Sequence, residues 1–236
     1  PSFQWFYNRE NVNQYLGFVE YRFVEDYYTR FTNGQVAMDQ IFFPQLTESV
    51  LEKLGTGQPL FSFSVSYQGH GPYSGGGCGW GDVDNYVKNE NLDEASRNIL
   101  ANYFGSVRNT QKHLQAMVER FRQSEEPIVL VVFGDHKPWL GNANSVYEAL
   151  GVNLNLSTEE GFYNYWSTEY LIWANDAAKA RLGFDFTGRG PDLSPCFLMT
   201  HLFDLLGWKG DAYNRAITPI YQRLPVLHQT GVCLEN

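Results

Sequence analysis

An acid and an imidazole stand next to each other where a long apolar segment of the chain stops. In the stretch IVLVVFGDHKP, residues 128–138, Asp135 and His136 follow a β-branched apolar run and Gly134. Carboxylate oxygen and neutral imidazole nitrogen are both good ligands for a divalent ion such as Mn²⁺ or Zn²⁺. Because a turn at Gly134 would let both side chains face one point, the pair is a candidate metal-binding site.

A second histidine follows another segment that is predicted to be a strand. Between residues 61 and 67, aromatic and apolar side chains alternate with serines, and His70 comes shortly afterwards. In open α/β sheets, ligands gather beyond the carboxyl ends of the strands, which is where His70, Asp135 and His136 all fall. An ordinary structural role is the alternative, because Asp after Gly is a common turn residue and a lone histidine often makes a structural hydrogen bond.

The elements that must hold these residues alternate between helix and strand. Apolar residues at helical spacing predict a helix over residues 39–54 and a longer one over 93–122, in which Gly105 is a candidate break. The run at residues 128–133 is apolar on both faces, as in a central strand of a parallel sheet, and residues 170–175 form a further predicted strand. This alternation predicts an α/β sandwich with a mostly parallel central sheet flanked by helices.

Composition and charge narrow the functions that the chain can have. With 236 residues and 43% apolar residues it can bury a sizeable core, and a net charge of −9 argues against nucleic-acid binding. An anionic substrate would therefore need a metal ion or a placed arginine. No apolar run approaches the roughly 18 residues of a membrane helix, so the chain itself is predicted to be soluble, with any membrane anchor outside it. The cysteines lack the spacing of a zinc site.

Other conspicuous residues receive structural interpretations. The glycine-rich run that follows Gln68 lacks the ending of a phosphate-binding loop. Trp80 and Trp139, near the two proposed strand ends, are candidates to line a pocket. Ser194, which precedes a proline, is predicted as the N-cap of a late helix in which His201 is packed and does not bind a metal.

Several motifs in this chain resemble those of one enzyme family. VVFGDHKPWLG resembles the "fyGDHlP" signature of the lipoteichoic acid synthase and phosphoglycerol transferase branch of the alkaline phosphatase/sulfatase superfamily. FYNRENVNQYLGF is similar to the family's "F(W/Y)NR…Y..lGF" segment, and PLFSFSVSYQGHGPY to its "PFF.f.vTmq.HGPY" segment. NILANYFGSV and LSPCFLMTHLFDLLG resemble two of its helices. The motifs stand in the family's order and cover most of the chain.

The resemblance implies roles for individual residues. Asp135 and His136 are implied as ligands of a catalytic divalent ion, usually Mn²⁺ or Mg²⁺ in this branch, with Zn²⁺ an alternative. His70 is implied to hold the substrate phosphate or to assist the leaving group, and Arg9 with Tyr7 to bind the phosphoglycerol head. A guanidinium suits this role because it recognises phosphate with two parallel hydrogen bonds. The alternatives are an exposed cation for Arg9 and core filling for Tyr7.

The resemblance also implies that residues 1–236 are the carboxyl-terminal part of a catalytic domain, because the chain begins just before the family's NR segment; its start at Pro1 in an aromatic-rich segment fits the same expectation. The nucleophilic threonine and an acidic ligand of the family are then expected upstream, in a missing amino-terminal half, so the sandwich is incomplete on that side and the isolated chain is expected to be inactive. One departure within the chain is Gln111, which stands where the family often has an acid.

The expected parent is a membrane-anchored enzyme at the extracellular face of the cell membrane. It would transfer or hydrolyse phosphoglycerol-type groups in the metabolism of lipoteichoic acid or a related cell-envelope glycopolymer, with a phosphoglycerol lipid or anionic glycopolymer as substrate. Two alternatives remain at this point. One is a sulfatase, which would need a CxPxR or SxPxR motif upstream, and the other is a noncatalytic module that binds an anionic glycopolymer.

Overall fold

The computed structural model describes residues 3–228 and, as backbone alone, residues 233–234. The chain forms two compact units. Unit 1 consists of Pro1–Glu126 and His136–Ser167, and unit 2 consists of Pro127–Asp135 and Thr168–Asn236.

Unit 1 consists of helices joined by loops and turns, and none of its described residues pairs as a strand. Its α-helices are α1 (Arg9–Tyr15), α2 (Thr29–Thr32), α3 (Asp39–Leu54), α4 (Glu94–Arg122), α5 (Ser145–Ala149) and α6 (Glu159–Trp166). Short 3₁₀ turns cover Phe6–Asn8, Val83–Asn85 and Asn142–Asn144, and a π turn covers Val24–Tyr28.

Unit 2 combines strand pairs with three α-helices among its described residues. Its elements are β1 (Val129–Phe133), β2 (Tyr170–Ala174), α7 (Asp176–Leu182), a 3₁₀ turn (Pro195–Phe197), α8 (Leu198–Leu205), α9 (Ala212–Arg223), β3 (Val226–Leu227) and β4 (Cys233–Leu234). β1 pairs with β2 in antiparallel orientation, so that Val129 lies opposite Ala174 and Phe133 opposite Tyr170. β3 and β4 form a second antiparallel pair.

The sequence predicted a mostly parallel sheet, and the described residues do not confirm it. A strand forms only where a neighbouring segment supplies hydrogen-bond partners. The segment at residues 61–67 forms neither helix nor strand and has no such neighbour among the described residues, and Phe61 and Phe63 are 62% and 58% exposed. β1 finds its partner in β2, which runs the opposite way and is itself half open to solvent at Leu171.

The long helix α4 is continuous across Gly105, where the sequence had suggested a break. Its first turn is capped by the Asp93 carboxylate, which accepts a hydrogen bond of 2.7 Å from the Ser96 backbone N–H. Gly105 is buried, and a Cβ atom there would overlap the indole of Trp80. The glycine therefore allows a close approach of Trp80 to the helix, which explains its presence without a break.

Replacing Gly105 with alanine should destabilise the chain by about 1–3 kcal/mol, because Trp80 would have to move out of a packed position. The expected sign is opposite to that of intrinsic helix propensity, which favours alanine over glycine. Urea unfolding would measure the change, with Gln111→Ala at an exposed position of α4 as the control. An unchanged or increased stability of Gly105→Ala would contradict the packing argument.

Helices α3 and α4 pack against each other, and a buried polar contact joins them at the start of α3. α3 begins and ends where the sequence predicted, and its Phe42 and Phe43 side chains are buried. On the polar side, the Thr110 hydroxyl donates to the carboxylate of the fully buried Asp39. Burial raises the pKa of Asp39, while the Thr110 hydrogen bond and the charge of His113 act against that rise.

A core cluster of unit 1 includes residues from the first half of α4. Its buried members are Val87, Leu92, Leu100, Ala101, Leu140 and Val146. Tyr73 packs against this cluster from the segment after His70, and Leu140 belongs to it from the segment after His136. Both histidine-bearing segments are thus anchored on the same part of unit 1.

Candidate functional site

His70 lies in an exposed turn whose geometry defines the protonation of its ring. The His70 backbone N–H donates to the Tyr67 carbonyl at 2.9 Å, and the two rings stack with centroids 5.4 Å apart and an interplanar angle of 6°. The His70 Nδ1 atom lies 2.6 Å from the Gly71 carbonyl oxygen. Because a carbonyl oxygen can only accept, Nδ1 must carry the hydrogen, and in the neutral ring Nε2 then holds the lone pair.

His136 has the same arrangement in its own segment. Its Nδ1 atom lies 2.9 Å from the Lys137 carbonyl oxygen, so Nδ1–H is again the donor. In the neutral ring Nε2 holds the lone pair, which is the form in which histidine ligates a metal. The backbone carbonyl thus sets the tautomer of His136 in the way that outer partners of metal ligands commonly do.

The chain just before Asp135 is held to the segment that leads into β2. The Gly134 backbone N–H donates to the Glu169 carbonyl at 3.2 Å, and the Thr168 hydroxyl donates to the Gly134 carbonyl at 2.6 Å. Both backbone groups of Gly134 are therefore hydrogen-bonded, which fixes the chain just before Asp135. The Asp135 side chain itself is exposed. Asp135 is the last residue of the first segment of unit 2, and His136 opens the second segment of unit 1.

Tyr7 and Arg9 lie at the start of α1. Tyr7 is 77% exposed and has a positive φ of 56°, and Asn8 follows with a φ of 53°. The exposure of Tyr7 excludes the core-filling alternative, and a left-handed non-glycine residue stores strain that often accompanies a function. Arg9 is half-buried, and its guanidinium carbon lies 6.0 Å from the centroid of the Phe6 ring.

The predicted site residues are not joined into one complete site within the described part of the chain. No hydrogen bond or ion pair among residues 3–228 links Tyr7, Arg9 and His70. Over the same residues, no group of three or more His, Cys, Asp or Glu side chains is arranged to hold a metal ion. The donor types at Asp135 and His136 suit a divalent ion, but two protein ligands are fewer than a tight site needs.

Asparagine side chains on α4 hold the glycine-rich loop after His70, a feature that the sequence reasoning missed. The Asn102 amide nitrogen donates to the carbonyls of Ser74 and Gly77 at 2.9 and 2.8 Å, and its oxygen accepts from the Gly79 N–H at 2.8 Å. Asn98, one helical turn earlier, donates to Gly75 at 2.9 Å. The signal was available in the sequence as two asparagines four residues apart in an amphipathic helix, and so on one face of it.

The hydroxyls of two half-buried tyrosines bind backbone carbonyls in the two histidine segments. The Tyr73 hydroxyl donates to the Gly69 carbonyl, and the Tyr147 hydroxyl donates to the Pro138 carbonyl at 3.0 Å. Burial, with a smaller contribution from neighbouring tyrosines such as Tyr103, raises the pKa of both Tyr73 and Tyr147 to about 12. Both hydroxyls therefore stay protonated and remain donors at neutral pH.

The other residues singled out from the sequence have structural roles. His201 Nδ1 lies 2.9 Å from the Tyr221 hydroxyl, and burial lowers the pKa of His201, so the prediction of a packed histidine is confirmed. Ser194 precedes the predicted helix, but its hydroxyl donates to the Leu227 carbonyl at 2.6 Å instead of capping. Trp80 packs on α4, whereas Trp139 is 66% exposed.

Comparison with known proteins places the chain in a family. Residues 1–208 match the Sulfatase family, and the chain belongs to it. A relative from Rhizobium meliloti (strain 1021) is 27% identical over 248 residues, which cover 100% of this chain and 35% of the relative. That relative carries the provisional name cyclic beta-1,2-glucan modification protein. The chain spans only about a third of its length, and no solved structure matches the chain.

Membership of this family defines the broad class of the protein. Sulfatase domains have an α/β fold of the alkaline phosphatase type and are typically hydrolases or transferases that use a divalent metal. The match is at the level of the superfamily and does not separate the lipoteichoic acid synthase branch from the others. No helix in the described part of the chain is long and apolar enough to span a membrane.

Proposed function

We propose that this chain is part of a metal-dependent enzyme that transfers or hydrolyses phosphoglycerol-type groups on a cell-envelope glycopolymer. The observation that carries the proposal is the matched pair of histidine segments. His70 and His136 each donate Nδ1–H to a backbone carbonyl, and both segments are anchored on one core cluster against α4. The provisional name of the relative, a glucan modification protein, supports a glycan as the molecule that is modified.

Each site residue has a chemical role in this proposal. Arg9 and Tyr7 bind the phosphoglycerol head, since a guanidinium supplies a permanent charge and a planar pair of donors for phosphate. His70 acts through Nε2. It accepts a proton from the hydroxyl that attacks the phosphorus, or donates a proton to the oxygen of the leaving group. Asp135 and His136 would hold a divalent ion, Mn²⁺ or Mg²⁺ with Zn²⁺ as the alternative, which supplies charge neutralisation at the phosphoryl oxygens when bound.

The remaining parts of the machinery are proposed to lie upstream of residue 1. They are a nucleophilic threonine and a further acidic metal ligand. The family motifs that match this chain contain neither of these two residues. The whole protein, meaning this chain together with those upstream residues, is proposed to act at the extracellular face of the membrane through an anchor outside the chain. Its substrate would be a phosphoglycerol lipid or an anionic glycopolymer.

The segment at residues 61–67 is the proposed contact with that upstream part. Its exposed Phe61 and Phe63 rings lie 5.8 and 6.5 Å from the ring of Phe18, so the segment presents apolar side chains and pairs with no strand among the described residues. Such an edge is a template for another strand. Pairing with the amino-terminal half of the domain would give the mostly parallel sheet that the sequence predicted.

Hydrolysis of sulfate esters is the second candidate, because the family match is to Sulfatase itself. The two reactions are distinguished by assaying the whole protein with bis-p-nitrophenyl phosphate and with p-nitrophenyl sulfate in the presence of Mn²⁺. Turnover of the phosphodiester but not of the sulfate ester supports the proposal. Preference for the sulfate ester would contradict it, and binding of anionic glycopolymer without turnover of either ester would indicate a noncatalytic module.

The isolated chain of 236 residues should show no appreciable phosphodiesterase activity, because covalent catalysis cannot proceed without its nucleophile. The measurement is release of p-nitrophenolate by the purified chain with Mn²⁺, with the whole protein at equal concentration as the positive control. Robust metal-dependent turnover by the isolated chain would contradict an upstream nucleophile. It would direct the search to serines near His70, such as Ser66 or Ser74.

A further inference from the structure

Gln68 has a buried side chain in a loop whose neighbouring residues are mostly exposed. It is 7% exposed, whereas Gly69 and His70 next to it are open to solvent. A glutamine is seldom buried unless its amide is hydrogen-bonded, because an unpaired buried amide loses its contacts with water. The burial of Gln68 therefore requires partners, and these partners lie on two helices.

The hydrogen bonds of Gln68 fix the orientation of its amide. Gln68 Oε1 accepts from the Asp39 backbone N–H at 3.3 Å, which is one of the first-turn groups that α3 cannot satisfy by itself. Gln68 Nε2 donates to the Ser106 carbonyl at 3.3 Å and to Asn109 Oδ1 at 2.9 Å on α4. Because a backbone N–H can only donate and a carbonyl can only accept, the amide has a single satisfied orientation.

The turn that carries His70 is attached to these helices through Gln68. The other described hydrogen bonds and ring contacts of the turn are with residues close in sequence: His70 N–H to the Tyr67 carbonyl, His70 Nδ1–H to the Gly71 carbonyl, the stacked Tyr67 and His70 rings, and the Tyr73 hydroxyl to the Gly69 carbonyl. Gln68 lies inside this turn and makes its side-chain hydrogen bonds to α3 and α4. Its three bonds therefore join the turn, and with it the imidazole, directly to α3 and α4, while Tyr73 ties Gly69 to the core cluster.

We propose that Gln68 is a positioning residue for His70. It touches neither substrate nor reacting atoms, and it acts by holding the His70 turn on the α3–α4 pair. The placement rests on the hydrogen bonds alone, whereas its consequence for turnover rests on the proposed function of His70. Misplacement of a catalytic group by about 1 Å can lower the rate roughly 10²-fold, so the loss of this anchor should be visible in kcat.

The test uses Gln68→Met, which keeps the length of the side chain and removes its hydrogen-bonding groups. In the ¹⁵N-labelled chain, the exchange rate of the His70 amide should rise about tenfold or more as the turn opens locally. The His70 ring should shift from mainly Nδ1–H towards the Nε2–H tautomer, as seen in long-range ¹H–¹⁵N spectra. A His70→Gln variant assigns the ring signals.

Asn175→Leu is the matched control. Asn175 is 1% exposed, and its Oδ1 accepts from the Ile128 N–H and from the Ala178 N–H in the first turn of α7, each at 3.0 Å. The control removes a comparable buried amide from unit 2 and should leave the His70 signals unchanged. If Gln68→Met does not fold, Gln68→Asn, shorter by one methylene, provides the same measurement.

The outcomes separate this inference from the proposed function. Unchanged His70 exchange and tautomer in a folded Gln68 variant overturn the positioning role. In the whole protein, the variant should lower kcat about 10- to 100-fold with KM nearly constant, because Gln68 does not contact substrate. If the His70 spectra change but kcat does not, Gln68 positions His70 and His70 is not catalytic. If only KM changes, Gln68 has no positioning role in catalysis.

Discussion

Replacing His70 with alanine should lower phosphodiester turnover by the whole protein roughly 10²–10⁴-fold while its divalent-metal content stays nearly constant. The magnitude is that of general acid–base catalysis by a positioned side chain. The direction follows from the geometry of the turn, in which the Gly71 carbonyl holds the proton on Nδ1 and Nε2 keeps its lone pair for the reacting group. The metal content should not change, because His70 is assigned to substrate and the ion is assigned to Asp135 and His136.

The control for this prediction is another histidine of unit 1. His113→Gln changes a half-buried residue of α4 that is not part of the proposed site, and turnover should stay within about threefold of wild type, as for a substitution with only a small effect on stability. Initial rates with bis-p-nitrophenyl phosphate and elemental analysis of the purified variants supply the measurements. Loss of metal in His70→Ala would show that the substrate assignment is wrong, and full turnover would show that His70 does not take part in catalysis.

The helices could be predicted from the sequence because their signals are local. The apolar spacing over Asp39–Leu54 gave both ends of α3, and Asp93 marked the start of α4. Gly105 was misinterpreted because the residue that requires a glycine, Trp80, is distant in sequence and becomes a neighbour only after folding. Local periodicity therefore predicts an element, but not what packs against it.

Strand pairing could not be predicted in the same way, because it depends on two segments that are distant in the sequence. The apolar run that became β1 and the run that became β2 were both recognised, yet their antiparallel pairing could not be derived from either one. The alternation at residues 61–67 predicted a strand whose partner is not among the described residues. A β-pattern indicates that a segment can pair, and the partner decides whether it does.

The sequence predicted which residue types form the candidate site, but not the hydrogen bonds that orient them. Asp135, His136 and His70 were identified from their chemistry and from their positions after predicted strands. The hydrogen bonds that select the Nδ1–H tautomers, and the buried amides of Gln68 and Asn102, depend on backbone groups that folding brings close. The supporting residues were missed because their buried polar character has no periodic signal in the sequence.

The second large effect is expected at the metal pair. In the whole protein, Asp135→Asn should lower turnover about 10³-fold or more, because a bound divalent ion contributes several kcal/mol of charge stabilisation and the neutral amide is a poorer ligand. Metal content should fall together with turnover, in contrast to His70→Ala. Asp185→Asn, at an exposed turn of the same unit, is the control and should retain both.

The isolated chain should bind Mn²⁺ weakly, and this measurement tests the same pair without any assay of activity. Two protein ligands leave several coordination positions to water, whereas a tight site usually needs three or four protein ligands held together. Calorimetric titration with Mn²⁺ should give a small affinity that falls further in Asp135→Asn and in His136→Gln, with Asp185→Asn unchanged. Tight binding by the isolated chain would contradict the proposal that further ligands lie upstream. Weak binding that neither substitution alters would show that the ion is held elsewhere, and Asp135 and His136 would lose their assignment as ligands.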